Sequence, residues 1–434
     1  MTTTTRNFFI TNFGCRVSQS EGAAIEQELL DANASLADSP YSANVVVINS
    51  CTVTAEADKE ARQLIRRIAS RNPAAQIIVT GCYAQRAPDE ISTFPSVRYV
   101  VGNSHKPIVG SLALKALEED FPSHGRAEVV CSNIFLEHEL TSGEHRGSGG
   151  RTRAIMKVQD GCNANCSFCI IPSVRGRSRS MEVPIVLKEV ADLTARGYKE
   201  VVFSGIHLGT YGRDLLEKTS FFDLLNRVLV ANPGLQRLRL SSIEPLEVTP
   251  ELVELVARHP RVAHHMHIPL QSGSARILRE MRRPYAPAYY ASLVQSVRVR
   301  VPDASIGADV MVGFPGETDS DFAETYRLIE QSPLTYLHVF PYSSRPGTAA
   351  ADLSGHVPDH VAHFRGKTLR QLIGKKNETF RESMIGRRLP VLVLEPGEAL
   401  SDNFLRVHVP RDLPVNEWSD VEVEGLVEGG VKGF

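Results

Sequence analysis

The chain is 434 residues long, 42% hydrophobic and 23% charged, with a formal net charge of −2. That composition suits a soluble globular protein of about three domains with ample core, and its near-neutral balance gives no global field for nucleic acid, so RNA contacts must come from local basic patches. The opening MTTTTRNFFI lacks the basic, apolar and small-residue succession of a signal peptide, and no apolar run approaches membrane-spanning length. A cytoplasmic protein with reduced thiols and no membrane partner is expected.

The first block alternates apolar runs with amphipathic helices. Phe8 to Thr11, Val45 to Asn49 and Ile77 to Thr80 read as buried strands. Between Glu56 and Arg71, Ala57, Ala61, Leu64, Ile65 and Ile68 recur at helical spacing, with Arg62, Arg66, Arg67 and Arg71 mostly off that stripe. Strands alternating with helices argue for an α/β domain with an open parallel sheet, over residues 1–143. Cys15, Cys51 and Cys82 each fall just past the carboxyl end of a predicted strand. Parallel strands bring those ends to one edge, where ligands of open sheets gather, so the three thiols can converge on a metal site. Each alone reads equally well as a small core hydrophobe. The odd cysteine, Cys131, reads as structural.

A Gly/Ser/Arg stretch from His145 to Arg153 marks a break, and Cys162, Cys166 and Cys169 follow it in a CxxxCxxC run. Three thiolates packed so closely can hold an iron–sulfur cluster with one iron left open, because a four-iron cluster is normally closed by four Cys ligands. A structural zinc site is the alternative, but zinc wants four ligands, usually in CxxC or Cys/His pairs. No second pair lies nearby, and His207 lies beyond a predicted helix and strand. The local set of three resembles the radical S-adenosylmethionine (SAM) superfamily, in which the amino acid end of SAM chelates the fourth iron.

From Arg153 the apolar runs AIMKVQ, VVFSG, LRLSS, MHIPL, SIGADVMVG and YLHVFPY recur with helices between them. Six strand–helix units over residues 150–375 suggest an incomplete parallel (β/α)6 barrel, whose chemistry would sit at the carboxyl ends of the strands. Those positions carry Cys162, Gly205, Ser242, Glu244, Gln271, Asp309 and Tyr342. GFPGET, from Gly313 to Thr318, lacks the Gly-Lys-Ser/Thr of a P-loop and reads as a turn beside the site. His265 and His267 share a strand face and read as a packed or hydrogen-bonded pair rather than a metal site. Near Lys375 the helical pattern gives way to short alternating strands, which suit a small β-barrel over residues 377–434.

Gly14-Cys15-Arg16-Val17, INSCTVTAEADKEARQLIRRI, VTGCYAQR and the three-cysteine run followed by IIPSVRGRSRS resemble the methylthiotransferase family of radical SAM enzymes. The resemblance covers nearly the whole chain and takes in six cysteines in order. It implies an N-terminal domain whose Cys15, Cys51 and Cys82 hold an auxiliary [4Fe-4S] cluster, a radical SAM barrel whose Cys162, Cys166 and Cys169 hold the SAM-cleaving cluster, and a C-terminal TRAM barrel. It also gives the strand-end positions their meaning: Gly205 would allow SAM a close approach, and Ser242, Glu244, Gln271 and Asp309 would border the cofactor. CTVTAEAD followed by KEARQLIRR, together with GCYAQR, is most similar to the branch that methylthiolates C2 of N6-threonylcarbamoyladenosine at tRNA position 37. Ser18 stands where that branch usually carries Asn.

The implied partners are a tRNA anticodon stem-loop, an electron donor and a sulfur donor. In the family the TRAM domain contacts tRNA, but here Glu417, Asp420, Glu422, Glu424 and Glu428 face few basic residues, and an acidic face repels phosphate. Better phosphate partners are Arg175, Arg177 and Arg179, the run from Arg276 to Arg283, and the helix carrying Arg62 to Arg71. Phe314 or Tyr342 would stack on a splayed base. Sister branches acting on isopentenylated adenosine, or on an Asp of a small-subunit ribosomal protein, fit the same chemistry. A non-catalytic iron–sulfur or zinc protein that only binds RNA would differ in having a closed metal centre.

Overall fold

The computed structural model describes residues 6–119, 126–138, 140 and 152–434. Its N-terminal sheet has six parallel strands in the spatial order Ser35–Leu36, Asn7–Asn12, Val45–Ser50, Gln76–Gly81, Val97–Val101 and Glu128–Val130. Successive side chains of a strand point to opposite faces, so one apolar run serves two layers. Val46, Ile48, Ile77 and Val79 pack with Ala61, Ile65 and Ile68 of the helix Ala55–Arg71. Val45, Val47 and Ile78 pack on the other face with Ile25, Leu29, Val109 and Ala113, from the helices Arg16–Asp31 and Val109–Glu118. The helix Ala55–Arg71 starts where Thr54 Oγ1 accepts a bond from the Ala57 N–H at 3.2 Å, with Glu56 and Asp58 in the first turn to complement the helix dipole.

The central domain is an incomplete parallel barrel. Strands Arg153–Lys157, Glu200–Ser204 and Arg237–Leu240 form one sheet, and His265–His267, Ser305–Val312 and Tyr336–Pro341 another. A single bridge, Leu238 with Val262, joins them, and among the described residues no pairing closes Tyr336–Pro341 onto Arg153–Lys157. Val201, Phe203, Leu238, Leu240, Met266, Ile306, Ala308 and Val310 pack outward against the surrounding helices. Alternate positions turn into the lumen and include Arg153, Glu200, Arg239, His265, His267 and Asp309, which makes the barrel a site rather than a filled apolar core.

The helix Asp359–Glu382 leads into a closed five-stranded barrel of Arg388–Glu395, Glu398–Ser401, Arg406–His408, Trp418–Val427 and Gly430–Gly433. Its pairings are antiparallel except for Val407 beside Val431. The break expected near Lys375 falls inside the helix, whose pattern continues through Phe380. The other expected break, His145 to Arg153, lies outside the described residues except at its last two positions.

The outer domains meet opposite ends of the barrel. At the carboxyl ends of the strands, Ser343 Oγ accepts from the Ala55 N–H at 2.9 Å, and Asp58 pairs with Arg345 at 2.6 Å. At the amino ends, the turn at Ser401–Leu405 enters the floor. Asn403 Nδ2 donates to Asp303 O at 3.0 Å, Arg239 donates to Asp402 O at 2.8 Å and Ser401 O at 3.1 Å, and the Phe404 ring lies 4.5 Å from that of His265. Among the described residues no helix is long and apolar enough to cross a membrane.

Candidate active site at the mouth of the barrel

Cys15, Cys51 and Cys82 follow three adjacent parallel strands, and the sheet brings their thiols together on its carboxyl edge. Gly14 adopts φ +91°, and a Cβ there would lie 2.9 Å from Cys51 Sγ, so only glycine lets the Cys15 loop approach that thiol. Burial pushes the Cys51 thiol up to about 12, with the neighbouring Cys82 adding to the shift. Val53 N–H approaches Cys51 Sγ at 3.5 Å, Asn103 Nδ2 approaches Cys82 Sγ at 3.6 Å, and Ser18 Oγ lies 3.7 Å from Cys15 Sγ. Ser18 thus stands beside the cysteine whose surroundings its sequence position flagged.

Cys162, Cys166 and Cys169 lie on the loop after strand Arg153–Lys157. Each has a donor aimed at it. Ala164 N–H meets Cys162 Sγ at 3.3 Å, Arg283 Nη1 meets Cys166 Sγ at 3.2 Å, and the Ile171 N–H bonds the Cys169 thiol, which burial pushes up to about 12. His207, distant in sequence, returns to Cys162 with Nδ1 3.5 Å from its sulfur and Nε2 3.4 Å from Glu247. Burial works against its protonation, yet the bonds to Cys162 and Glu247 raise its pKa to about 10.

The two cysteine sets face each other across the domain boundary. Cys82 packs with Ile170, which immediately follows Cys169, and with Val174 in the short helix after it. Beneath the first set lies a buried ion network: Glu21 pairs with Arg175 at 2.9 Å, Lys157 at 3.0 Å and Lys106 at 3.3 Å, while Asp160 pairs with Arg175 at 3.0 Å and Lys157 at 3.2 Å. Burial alone would raise the Glu21 pKa, but Arg175, Lys106 and Lys157 hold it well below the usual carboxylate range.

The donor set suits iron–sulfur clusters. Three cations against two carboxylates leave one positive charge in excess beside Cys82 and Cys15, and a cluster carried by thiolates is an anion whose potential depends on such charge and on N–H donors to sulfur. The buried Nε of Arg175 and Oδ1 of Asn103 have no partner among the described residues.

The other expected positions are placed as follows. Gly205 packs tightly, a Cβ there meeting Gln159 Oε1 and Leu208 at 2.9 Å. Ser242 is exposed, while the adjacent Ser241 is buried and its Oγ accepts from Arg16 at 3.2 Å. Glu244 pairs with Arg283, which links it to Cys166. Gln271 takes φ +65° and bonds Asp309 O through its N–H at 2.8 Å. Asp309 Oδ1 lies 3.1 Å from His267 Nε2 and 3.2 Å from His338 Nδ1. The hydroxyl of Tyr336 bridges His265, at 2.8 Å, and His267, at 3.0 Å, so the two histidines are linked through the phenol rather than to each other. From sequence alone a metal site is set aside for want of a third ligand, but Asp309 and His338, from the next two strands of the sheet, bring further donor atoms to His267, and the three form a group able to hold a cation. Cys131 lies apart, its sulfur against Gly102 and Ser104. In GFPGET, Gly313 takes φ +75° and its N–H bonds Glu317 at 2.7 Å, a turn as expected.

Two expectations about RNA contact are corrected. Arg175 and Arg179 are buried, and Arg283 is committed to Cys166 and Glu244, so none of them faces phosphate. Arg66, Arg67 and Arg71 on the N-terminal helix, with Arg177, Arg276, Arg279 and Arg282, are the exposed members of those patches, Arg276 being paired with Asp321. Phe314 is fully buried against Ile277, Met281 and Ala350 and cannot stack on a base, whereas Phe340, on the inward face of its strand beside His338, is 44% exposed. Sequence reasoning missed Ser241, for which the inward register of the strand was the signal, and Glu247; it had Arg16 only as part of the Gly14–Val17 motif, His207 only as a rejected zinc ligand and Arg283 only as a phosphate partner.

A parallel barrel with an open-ended cysteine loop defines a radical SAM protein. Family models agree: residues 156–329 match the Radical SAM superfamily, and residues 7–102 match the Uncharacterized protein family UPF0004. The threonylcarbamoyladenosine tRNA methylthiotransferase MtaB of Bacillus subtilis (strain 168) is 38% identical over 389 residues, covering 90% of this chain and 84% of the relative. The tRNA-2-methylthio-N(6)-dimethylallyladenosine synthase of Clostridium tetani (strain Massachusetts / E88) is 32% identical, covering 91% and 86%. Among solved structures, the radical SAM methyltransferase TsrM of Kitasatospora setae shares the fold, with a TM-score of 0.56 and 17% identity over 80% of this chain and 75% of that one. The chain belongs to the methylthiotransferase family of radical SAM enzymes. Proteins of this class use SAM with a [4Fe-4S] cluster, and two clusters are typical of methylthiotransferases.

Proposed function

We propose that this chain is a cytoplasmic tRNA methylthiotransferase that replaces the C2 hydrogen of N6-threonylcarbamoyladenosine, at position 37 beside the anticodon, with a methylthio group. The observation that carries the reading is the confrontation of two cysteine sets across one boundary, Cys82 packing on the segment that follows Cys169. Cys162, Cys166 and Cys169 would hold the SAM-binding [4Fe-4S] cluster, and Cys15, Cys51 and Cys82 the auxiliary one. When bound, the reduced cluster and SAM supply a 5′-deoxyadenosyl radical able to take hydrogen from an unactivated carbon, and the protein's share is orientation and exclusion of water.

The residues divide that share. Gly205, Ser242, Glu244, Gln271 and Asp309 border the mouth where SAM would lie. Arg283 braces Cys166 against Glu244, and His207 braces Cys162 against Glu247. The network of Glu21, Arg175 and Lys157 locks the sheet domain to the barrel, fixing the separation of the two clusters. Substrate choice is supported by the higher identity to the threonylcarbamoyladenosine enzyme than to the dimethylallyladenosine synthase.

The test is mass spectrometry of tRNA nucleosides from cells with and without the protein. Loss of 2-methylthio-N6-threonylcarbamoyladenosine with accumulation of its precursor is expected. An unchanged set of methylthio nucleosides would sink the reading and turn attention to the ribosomal protein substrate or to a non-catalytic role.

A further inference from the structure

Inside the barrel, guanidinium groups outnumber carboxylates. Arg16 enters from the mouth beside Cys15, while Arg153 and Arg239 project inward from their strands. Glu200 serves the latter two, with Arg153 Nε at 2.6 Å and Arg239 Nε at 2.9 Å. Asp309, the other carboxylate of the lumen, is engaged by His267 and His338. Arg16 has no carboxylate partner among the described residues. Its hydrogen bond goes to Ser241 Oγ at 3.2 Å, and its guanidinium carbon stands 5.6 Å from the Phe404 ring.

Three guanidinium groups share the single carboxylate of Glu200, which Arg153 and Arg239 already occupy, so positive charge is in excess by two. The buried imidazole of His265 registers that field: burial first, then Arg239 and Arg16, hold its pKa well below the ordinary value. A partly buried cation without a counter-ion is costly unless a ligand supplies the anion, and a planar guanidinium is matched to a carboxylate.

We propose that Arg16, backed by Arg153 and Arg239, forms a subsite for the threonyl carboxylate of the N6-threonylcarbamoyl group. The proposal rests on the substrate reading above and adds the residue that makes the choice. C2 and the exocyclic N6 flank N1 on one edge of adenine. A base that turns C2 toward a cluster held through Cys15 can therefore carry its N6 substituent into the lumen, where the side chain of the next residue, Arg16, reaches down to Ser241 and the Phe404 ring. An isopentenyl group has no charge to offer there and would leave the guanidinium desolvated and unpaired, so the side chain that attracts one substrate disfavours the other.

The experiment uses holoenzyme and its Arg16→Gln and Arg16→Lys variants, matched for iron content. Anticodon stem-loops carrying threonylcarbamoyladenosine, isopentenyladenosine or plain adenosine are titrated by fluorescence anisotropy, and SAM binding is measured by equilibrium dialysis. Arg16→Gln should weaken binding of the threonylcarbamoylated RNA by roughly tenfold to a hundredfold, the range for a lost hydrogen bond between charged groups. The preference over plain adenosine should collapse with it, and Arg16→Lys should restore part. An equal change for all three RNAs, or none, overturns the proposal. Loss of SAM binding with RNA preference intact assigns Arg16 to the carboxylate of SAM and overturns it as well. Wild-type protein that prefers the isopentenylated RNA refutes the substrate reading itself, a result visible before any variant is made.

Discussion

Arg283 donates a hydrogen bond from Nη1 to Cys166 Sγ across 3.2 Å, while its Nη2 is held by Glu244. A charged donor on a ligand sulfur favours the more negative, reduced state of a cluster. Arg283→Gln should therefore make the SAM-binding cluster harder to reduce, by on the order of tens of millivolts. A redox titration followed by electron paramagnetic resonance reads the shift directly; an unmoved potential at full iron content would reduce Arg283 to a brace for Glu244.

The two cysteine sets should fail differently. Cys166→Ala should abolish both 5′-deoxyadenosine formation and tRNA modification, whereas Cys15→Ala should retain some cleavage of SAM and lose sulfur insertion. Each variant should lose roughly half of the bound iron if each set holds one cluster of the kind described. Chromatography of 5′-deoxyadenosine beside an iron assay separates the cases. A folded Cys15→Ala protein with no cleavage at all would contradict the division of labour.

Glu200 is buried between Arg153 and Arg239. Burial alone would raise its pKa, but the two guanidinium groups hold it down from 4.5 to about 2. A depressed folded value means that its contribution to stability is complete above about pH 4.5 and drains away as the pH falls toward about 2. Glu200→Gln should cost about 3–5 kcal/mol at neutral pH, since it strands buried guanidinium charge. Denaturant melts of both proteins across that pH range should show the gap closing on the acid side; a gap independent of pH would mean that packing, not charge, is lost.

The exposed arginines of the N-terminal helix offer a separate test of tRNA docking. Changing Arg66, Arg67 and Arg71 to Gln should lower the magnitude of the slope of log K against log salt by about 0.7–0.9 for each phosphate contact removed. Stem-loop binding at several salt concentrations gives that slope. An unchanged value would move the contact to Arg177, Arg279 and Arg282, which are also exposed.

Much of this architecture was legible in the chain because local pattern and tertiary role agree. Val45 to Asn49 is apolar at every position but the last, since its strand is covered on both faces, and the cysteine after each strand follows from the parallel sheet. Charged residues misled where burial decides their role. Arg175 and Arg177 are alike in sequence, but Arg175 is buried between Glu21 and Asp160 while Arg177 is exposed. Phe314 and Phe340 differ in the same way: Phe314, in the turn after Ser305–Val312, folds back into a small core, whereas Phe340 stays accessible on its strand. The partners of Cys166 and Cys162 were illegible because Arg283 and His207 arrive from distant segments, and no local spacing records such a meeting.

The turn at Ser401–Leu405 gives the C-terminal barrel a duty unrelated to RNA. Asp402, Asn403 and Phe404 are the floor beneath the lumen, and Arg239 and His265 rest on them. A chain cut after the long helix would therefore lose more than a detachable appendage. Water would reach the radical chamber from below, and the guanidinium groups gathered there would be released into it.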